Sequence, residues 1–130
     1  MPAAVLDASV VIAWMRRRDR AQPKLDALFD EGRMGRADLV LSVVNLAEVL
    51  RHTADVARDT GVDPVALLKS YGVRLHAPDD AVARRVARLR TSLADGFAAA
   101  TALELGATLH TTDAELVAQL ASTRVRVKRY

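Results

Sequence analysis

The sequence predicts an α/β protein, an α/β/α sandwich around a central, mostly parallel sheet. Two observations support this class. Short apolar runs of strand length occur along the whole chain, and longer segments with apolar residues at helical spacing alternate with them. Strands that alternate with helices favour a parallel sheet covered on both faces. No repeat, low-complexity segment or long linker interrupts the 130 residues, so we expect one domain spanning 1–130.

The first half of the chain is predicted to contain two strands and their helices. The first strand is an apolar run that ends at Asp7, and either Asp7 or Ser9 is suited to cap the helix that follows. Gly32 is expected to end the second helix. A proline favours the first position of a helix, so Pro64 predicts a short helix after Asp63. The other elements are predicted as strands at 3–7 and 39–42 and helices at 9–18, 21–31 and 43–58.

The second half continues the alternation. Apolar residues recur at helical spacing between 79 and 93, which predicts one long helix there. Gly106 is a good residue to follow a helix end, so a helix at 94–105 is predicted to stop before it. The remaining predicted elements are strands at 73–77, 107–111 and 125–128 and a helix at 114–121.

Composition narrows the classes of protein. The chain has no cysteine, so a disulfide framework and a thiolate metal site are excluded, and a cytoplasmic location is expected. The apolar N-terminal run is too short to span a bilayer, and basic residues follow it instead of preceding it. We therefore expect neither a membrane segment nor a secretory signal. The net charge is +3, and most basic residues are arginine, which suits a partner that carries phosphate.

Four acidic residues occur at or near the ends of predicted strands: Asp7, Glu48, Asp95 and Asp113. In open parallel sheets, ligands bind beyond the carboxyl ends of the strands. The predicted fold would therefore bring these acids together at one edge of the sheet.

Each acid also has a structural explanation. Asp7 could cap a helix, and Glu48 could pair with a basic residue on a helix surface. Asp95 lies three residues after Ser92, which is the spacing of a capping box, and Asp113 lies within a second match to that pattern. Taken singly, these explanations compete with a functional one.

A joint site would need cations. Two carboxylates about 4 Å apart repel by about 4 kcal/mol at an effective dielectric constant near 20. A raised pKa or a bound cation relieves that repulsion. Oxygen ligands suit Mg²⁺ or Mn²⁺, and such ions can activate water against a phosphodiester. A basic protein with an acidic pocket of this kind indicates a nuclease.

Segments of the chain, in order, resemble the four motifs of PIN-domain ribonucleases, in particular the VapC-type toxins of toxin–antitoxin modules. The first two are VLDASVVIAW and LSVVNLAEVL, and LADGFAAATALELGATLHTTD carries the third and fourth. The likeness covers essentially the whole chain. It implies the PIN-like α/β/α fold and a Mg²⁺-dependent endoribonuclease, with Mn²⁺ able to substitute.

The resemblance also implies roles for individual residues. The metal ions and the attacking water would be held by Asp7, Glu48, Asp95 and Asp113. The side chains that would support these carboxylates are Ser9, Asn45 and Thr112. The arginines expected to contact RNA are Arg16, Arg17, Arg84 and Arg88.

Three partners follow from the resemblance: an RNA substrate, a second copy of the chain in a homodimer, and a cognate antitoxin that covers the site. The alternative on the same fold is a non-catalytic RNA-binding or antitoxin-sequestering module. Such a module would keep the arginines but would not need four acids. A receiver-type phosphoacceptor would need a second acid beside Asp7, and a haloacid-dehalogenase-like phosphatase would need an aspartate where Ser9 stands.

Overall fold

The computed structural model describes residues 3–130, so the first two residues of the predicted domain lie outside the described part. The strands are β1 (Ala3–Leu6), β2 (Asp38–Ser42), β3 (Arg74–His76), β4 (Thr108–Thr111) and β5 (Arg126–Arg129). They form one sheet in the order β3-β2-β1-β4-β5, and each neighbouring pair is parallel. The predicted α/β fold around a parallel sheet is confirmed.

Eight helices connect these strands within residues 3–130. They are α1 (Ala8–Arg16), α2 (Gln22–Arg33), α3 (Val43–His52), α4 (Ala54–Thr60), α5 (Pro64–Ser70), α6 (Asp80–Val86), α7 (Leu93–Leu105) and α8 (Ala114–Leu120). None of these helices has the length and apolar character needed to cross a membrane.

The sheet separates two apolar cores because side chains alternate between its faces. Leu6 of β1 packs with α1, α2, α3 and α5, whereas its neighbour Val5 packs with α7 and α8. In the first core Trp14 stacks on Phe29, with ring centres 3.8 Å apart, and Tyr71 meets Trp14 edge-on at 4.8 Å. These aromatic contacts join α1, α2 and the end of α5.

Several predicted helix ends are confirmed. Asp63 accepts a hydrogen bond from the backbone N–H of Ala66, so Pro64 begins α5 as expected. Ser92 caps α7 in the same way, and Gly106 ends that helix with φ of 60°. This positive φ is a conformation that glycine adopts without strain.

Two predictions about helices on the first face are wrong. The segment 43–58 forms two helices, because the helical conformation is interrupted at Thr53. The hydroxyl of Thr53 donates to the carbonyl of Val49 at 2.6 Å. Gly32 lies inside α2 and does not end it. A Cβ at Gly32 would meet the Leu39 side chain, so the glycine permits close packing of α2 on β2.

The long helix predicted between 79 and 93 is also wrong. It ends at Val86, and Leu93 begins α7. Leu93 is 74% exposed and is no part of an apolar stripe directed at the core. The periodicity of Val82 and Val86 was real, but the cap formed by Ser92 starts a separate helix.

His110 on β4 is buried against Tyr130, with 2.8 Å between its Nδ1 and the tyrosine Oη. Burial lowers the pKa of His110 from 6.5 to about 4, and Lys128 adds to the effect. His110 is therefore neutral at physiological pH.

We expect the free energy of unfolding to decrease as the pH falls from about 6.5 to about 4. In the unfolded chain His110 binds a proton with the ordinary histidine pKa near 6.5, whereas in the folded protein it binds one only near pH 4. The contribution of neutral His110 to the free energy of unfolding is fully present above about pH 6.5 and lost below about pH 4. It is on the order of 3 kcal/mol in total. Urea unfolding across this window measures it. In His110→Gln the free energy of unfolding should change less with pH. If it changes as steeply as in wild type, other groups cause the pH dependence.

Candidate active site

A pocket of about 490 Å³ opens at the carboxyl edge of the sheet, and all four predicted acids line it. Asp7 directly follows β1 and Asp113 follows β4, while Glu48 comes from α3 and Asp95 from α7. The chain leaves β1 towards β2 on one side and reaches β4 on the other, so β1 and β4 flank the switch point of the sheet. The fold thus brings together four carboxylates that are distant in sequence.

Asp7 is almost completely buried, at 3% exposure. It stands at the N-cap position of α1 but makes no side-chain capping bond, so the capping explanation is wrong for this residue. Its Oδ2 instead accepts hydrogen bonds from Ser9 Oγ at 2.7 Å and Thr111 Oγ1 at 2.8 Å. These bonds fix the carboxylate and leave Oδ1 outside both of them.

Thr111 is a site residue that the sequence alone did not reveal. Its hydroxyl donates to Asp7 and accepts from the backbone N–H of Asp113 at 3.0 Å, which joins the two acids. Thr112, for which a supporting role was predicted, contributes its backbone N–H to Ser9 Oγ at 3.1 Å. The pairing of β1 with β4 could have predicted this role, because it places Thr111, the last residue of β4, beside Asp7.

Asn45 supports Glu48 from one turn earlier on α3. It is fully buried, and its Nδ2 donates to Glu48 Oε1 and to the carbonyl of Ala94, both at 3.0 Å. Its Oδ1 is buried without a hydrogen-bond partner in residues 3–130. Asn45 therefore ties the Glu48 carboxylate to the start of α7, next to Asp95.

The pKa of Asp95 reflects its electrostatic environment in the pocket. Burial raises the pKa of its carboxyl group, and the negative charges of Asp7, Asp113 and Glu48 raise it further. The hydrogen bond with Ser92 acts in the opposite direction without reversing the shift. The other three carboxylates are therefore close enough to Asp95 to disfavour its negative charge.

Asp113 has a structural role in addition to its place in the pocket. It is the N-cap of α8, and its Oδ1 accepts from the backbone N–H groups of Glu115 and Leu116 at 2.9 and 3.3 Å. The second capping box predicted around Thr112 is therefore wrong, because Asp113 itself is the capping residue. The other oxygen, Oδ2, takes no part in the cap.

The carboxylates do not form a closed metal cage. Across residues 3–130, no three Asp, Glu or His side chains are grouped so that together they could hold a metal ion. Burial is the largest cause of the raised pKa of Asp95, and the negative charges of Asp7, Asp113 and Glu48 nevertheless add to it. Mg²⁺ is commonly bound through one or two carboxylates plus water and substrate phosphate, so it does not require a cage of three. The oxygen donors of this pocket fit such an ion.

Of the four arginines predicted to contact RNA, Arg16 alone lines the pocket. Its guanidinium donates to the carbonyl of His52 at 2.6 Å and pairs with Asp55 at 2.9 Å. Arg16 therefore connects α1 to the junction of α3 and α4. The other three lie outside the pocket lining: Arg17, Arg84 and Arg88.

Several solved structures share this fold across nearly their whole length. VapBC2 from Rickettsia felis, bound to a promoter DNA fragment, is 13% identical with a TM-score of 0.71, covering 100% of this chain and 99% of that one. A toxin–antitoxin complex from Klebsiella pneumoniae is 16% identical with a TM-score of 0.69, covering 100% and 98%. VapC20 from Mycobacterium tuberculosis, a sarcin–ricin loop cleaving toxin, is 18% identical with a TM-score of 0.65, covering 95% and 98%.

At these identities the structural likeness establishes the fold. No curated protein matches the chain in sequence. A family model named PIN domain, however, matches residues 4–121. This range includes all four acids, the strands β2, β3 and β4, and all of β1 except its first residue. On this match over most of its length, the chain belongs to the PIN domain family.

Proposed function

We propose that the chain is a metal-dependent endoribonuclease and the toxin of a toxin–antitoxin pair, built as a single domain. The observation that carries this proposal is the convergence of four carboxylates from separate elements in one pocket. A structural role alone gives no reason to collect charges that repel one another. Membership of the PIN domain family and similarity to solved toxin structures support the same function.

The hydrogen bonds around the carboxylates suit the binding of a hard cation. Asp7 uses Oδ2 for its protein contacts, Asp113 uses Oδ1, and Glu48 uses Oε1. In each case one oxygen is held by the protein and the other is left for the pocket. When bound there, Mg²⁺ or Mn²⁺ would activate water and neutralise charge on a phosphodiester. The chain's own contribution is to fix the carboxylates so that little rearrangement is needed.

Three supporting side chains set the orientation of these acids. Ser9 and Thr111 both donate to Oδ2 of Asp7, and Asn45 donates to Glu48. Such supporting contacts commonly contribute 10- to 100-fold in metal affinity or activity, as a rough range. Thr112 acts through its backbone in this arrangement.

An RNA cleavage assay with wild type and Asp7→Asn tests the function. We expect cleavage by wild type with Mg²⁺, none in EDTA, and a loss of about 100-fold or more in Asp7→Asn. Asparagine keeps an oxygen that can accept from Ser9 and Thr111, so the variant should remain folded. Glu104→Gln is the matched control, since Glu104 pairs with Arg85 on the surface at 3.3 Å.

Full activity in EDTA, or an Asp7→Asn variant as active as Glu104→Gln, would contradict a metal-dependent site built on these acids. A folded wild type that binds RNA without cleaving it would favour the alternative, a non-catalytic RNA-binding or antitoxin-sequestering module.

An antitoxin is the expected protein partner. The similar structure from Klebsiella pneumoniae is that of a toxin–antitoxin complex. We propose that a cognate antitoxin covers the acidic pocket of this chain and that both proteins act in the cytoplasm. The pocket is open at the edge of the sheet, so an antitoxin could reach it.

A homodimer is supported by exposed apolar side chains on α3 and at the start of α7. Val43 and Leu50 lie seven residues apart on α3 and are 40% and 38% exposed, and Leu93 is 74% exposed. The hydrogen bond from Asn45 to Ala94 brings the start of α7 to α3, so these apolar side chains belong to two neighbouring helices. A second copy of the chain would remove them from water.

We expect Leu93→Asp to convert the dimer to a monomer, because it would place a charge in the apolar contact. Light scattering after gel filtration measures the mass. Met34→Asp is the control, since Met34 is also exposed, at 56%, but lies at the end of α2. Equal masses for wild type and both variants would contradict this interface.

A further inference from the structure

A groove lies beside the sheet, separate from the acidic pocket. Three adjoining hollows of about 310, 420 and 320 Å³ run between α2 and the strands β4 and β5. Lys24 and Tyr130 line both the first and the second hollow, and His110 and Lys128 line both the second and the third. We call this continuous surface the α2–β5 groove.

The walls of the groove carry uncompensated positive charge. Arg20, Lys24, Lys128 and Arg129 line it, and none of them has an acidic side chain within 4.0 Å in residues 3–130. Eight other arginines in residues 3–130 each lie within 4.0 Å of an acidic side chain. The acid in the groove, Glu31, already lies 3.7 Å from an arginine.

The floor of the groove is aromatic and uncharged. Tyr130 is half-buried, and its hydroxyl lies 2.8 Å from the Nδ1 of His110. Burial raises the pKa of Tyr130, so its phenol is neutral near pH 7. The Lys128 ammonium lies 5.5 Å from the centre of the tyrosine ring. Cationic side chains therefore lie around a half-buried aromatic ring.

The groove begins beside the acidic pocket. The backbone N–H of Tyr130 donates to the carbonyl of Thr111 at 2.9 Å, and the hydroxyl of Thr111 donates to Asp7. One residue of β4 thus contacts both the aromatic floor and the acidic pocket.

We infer that the α2–β5 groove binds a single strand of RNA next to the segment that is cut, an inference that rests on the proposed function. Cations along a groove neutralise successive phosphates, and an aromatic ring between them stacks a base. A base is free to stack only where the strand is unpaired, which favours single-stranded RNA over a duplex. An acidic peptide would use the cations but gains nothing from the neutral ring.

Binding of a short fluorescein-labelled oligouridylate, measured by anisotropy in EDTA, tests this inference without requiring cleavage. The double variant Lys24→Glu/Lys128→Glu should weaken binding by about tenfold or more and lower the salt dependence, because about 0.7 of the logarithmic slope is lost per phosphate contact. The control Arg58→Glu/Lys69→Glu makes the same charge change on α4 and α5. It should alter binding by less than about twofold.

Two substitutions of Tyr130 measure the effect of stacking separately from the effect of charge. Tyr130→Phe keeps the ring and should bind like wild type, whereas Tyr130→Ala should bind about fivefold more weakly or worse. Circular dichroism would verify that each variant is folded.

Equal weakening by the groove and control variants, or no binding by wild type, would overturn the inference. Tighter binding of an oligoglutamate than of the oligouridylate would overturn it in favour of an acidic protein partner. If wild type cleaves RNA but the groove variants bind the oligouridylate as wild type does, this inference is refuted and the proposed nuclease is not. Groove-dependent binding without cleavage would support it and refute the proposed nuclease instead.

Discussion

Asp95→Asn is expected to abolish RNA cleavage while leaving the protein at least as stable as wild type. Burial and the charges of Asp7, Asp113 and Glu48 raise the pKa of the Asp95 carboxyl group, so its ionised form is unfavourable in the folded protein. Asparagine removes that charge, and its backbone N–H can still donate to Ser92. Cleavage should fall by about 100-fold or more if Asp95 helps to hold the metal ion.

Thermal unfolding in EDTA and in Mg²⁺ completes this test. Without metal, Asp95→Asn should melt at the same temperature as wild type or slightly above it. Mg²⁺ should raise the melting temperature of wild type, because an ion that binds only the folded state contributes about 2.7 kcal/mol at 100 times its Kd. The variant should gain less. A variant that unfolds well below wild type would show that Asp95 serves the helix start and not a metal site.

Phe29→Ala should cause the largest loss of stability, about 3–5 kcal/mol. Phe29 is fully buried, stacks on Trp14 at 3.8 Å and lies edge-on to Tyr71 at 6.3 Å. Its removal would leave a cavity where α1, α2 and α5 meet. Domains of this size have about 5–15 kcal/mol of stability, so the variant should be marginal. The melting temperature should fall by roughly 10–20 °C.

Urea unfolding followed by tryptophan fluorescence measures this effect, because Trp14 is the one tryptophan of the chain and contacts the substituted residue. Phe97→Ala is the matched control. Phe97 is partly buried beside a small cluster of Val82, Val86 and Ala100, so its loss should cost less. Similar losses in the two variants would mean that the aromatic stack is not the centre of the first core.

Local patterns were sufficient to predict the order of strands and helices. An apolar run followed by an acid, as at Asp7, requires only neighbouring residues to be recognised, and so does a cap such as Ser92. Since parallel strands end at one edge of a sheet, the expected meeting place of the four acids also followed from that order.

Hydrophobic periodicity could not predict other features. The break at Thr53 divides a segment whose pattern is continuous, and α6 ends at Val86 although the periodicity continues beyond it. In both places a local hydrogen bond between a hydroxyl side chain and the backbone, at Thr53 or at Ser92, accompanies the boundary. At Gly32 the reason is tertiary, because Leu39 of β2 packs closely against this position of α2 and leaves no room for a side chain.

The sequence by itself determined the fold class and the four acids that the fold would collect, because hydrophobic periodicity and residue chemistry are properties of local segments. The tertiary structure decided which hydroxyl supports Asp7. Thr111 and Thr112 are adjacent and chemically alike, but pairing of Leu6 with His110 sets the register of β1 and β4 and brings Thr111 to the carboxylate. It also decided that Lys24, Lys128 and Tyr130 share a groove. Residues so far apart along the chain meet only through the packing of the whole sheet.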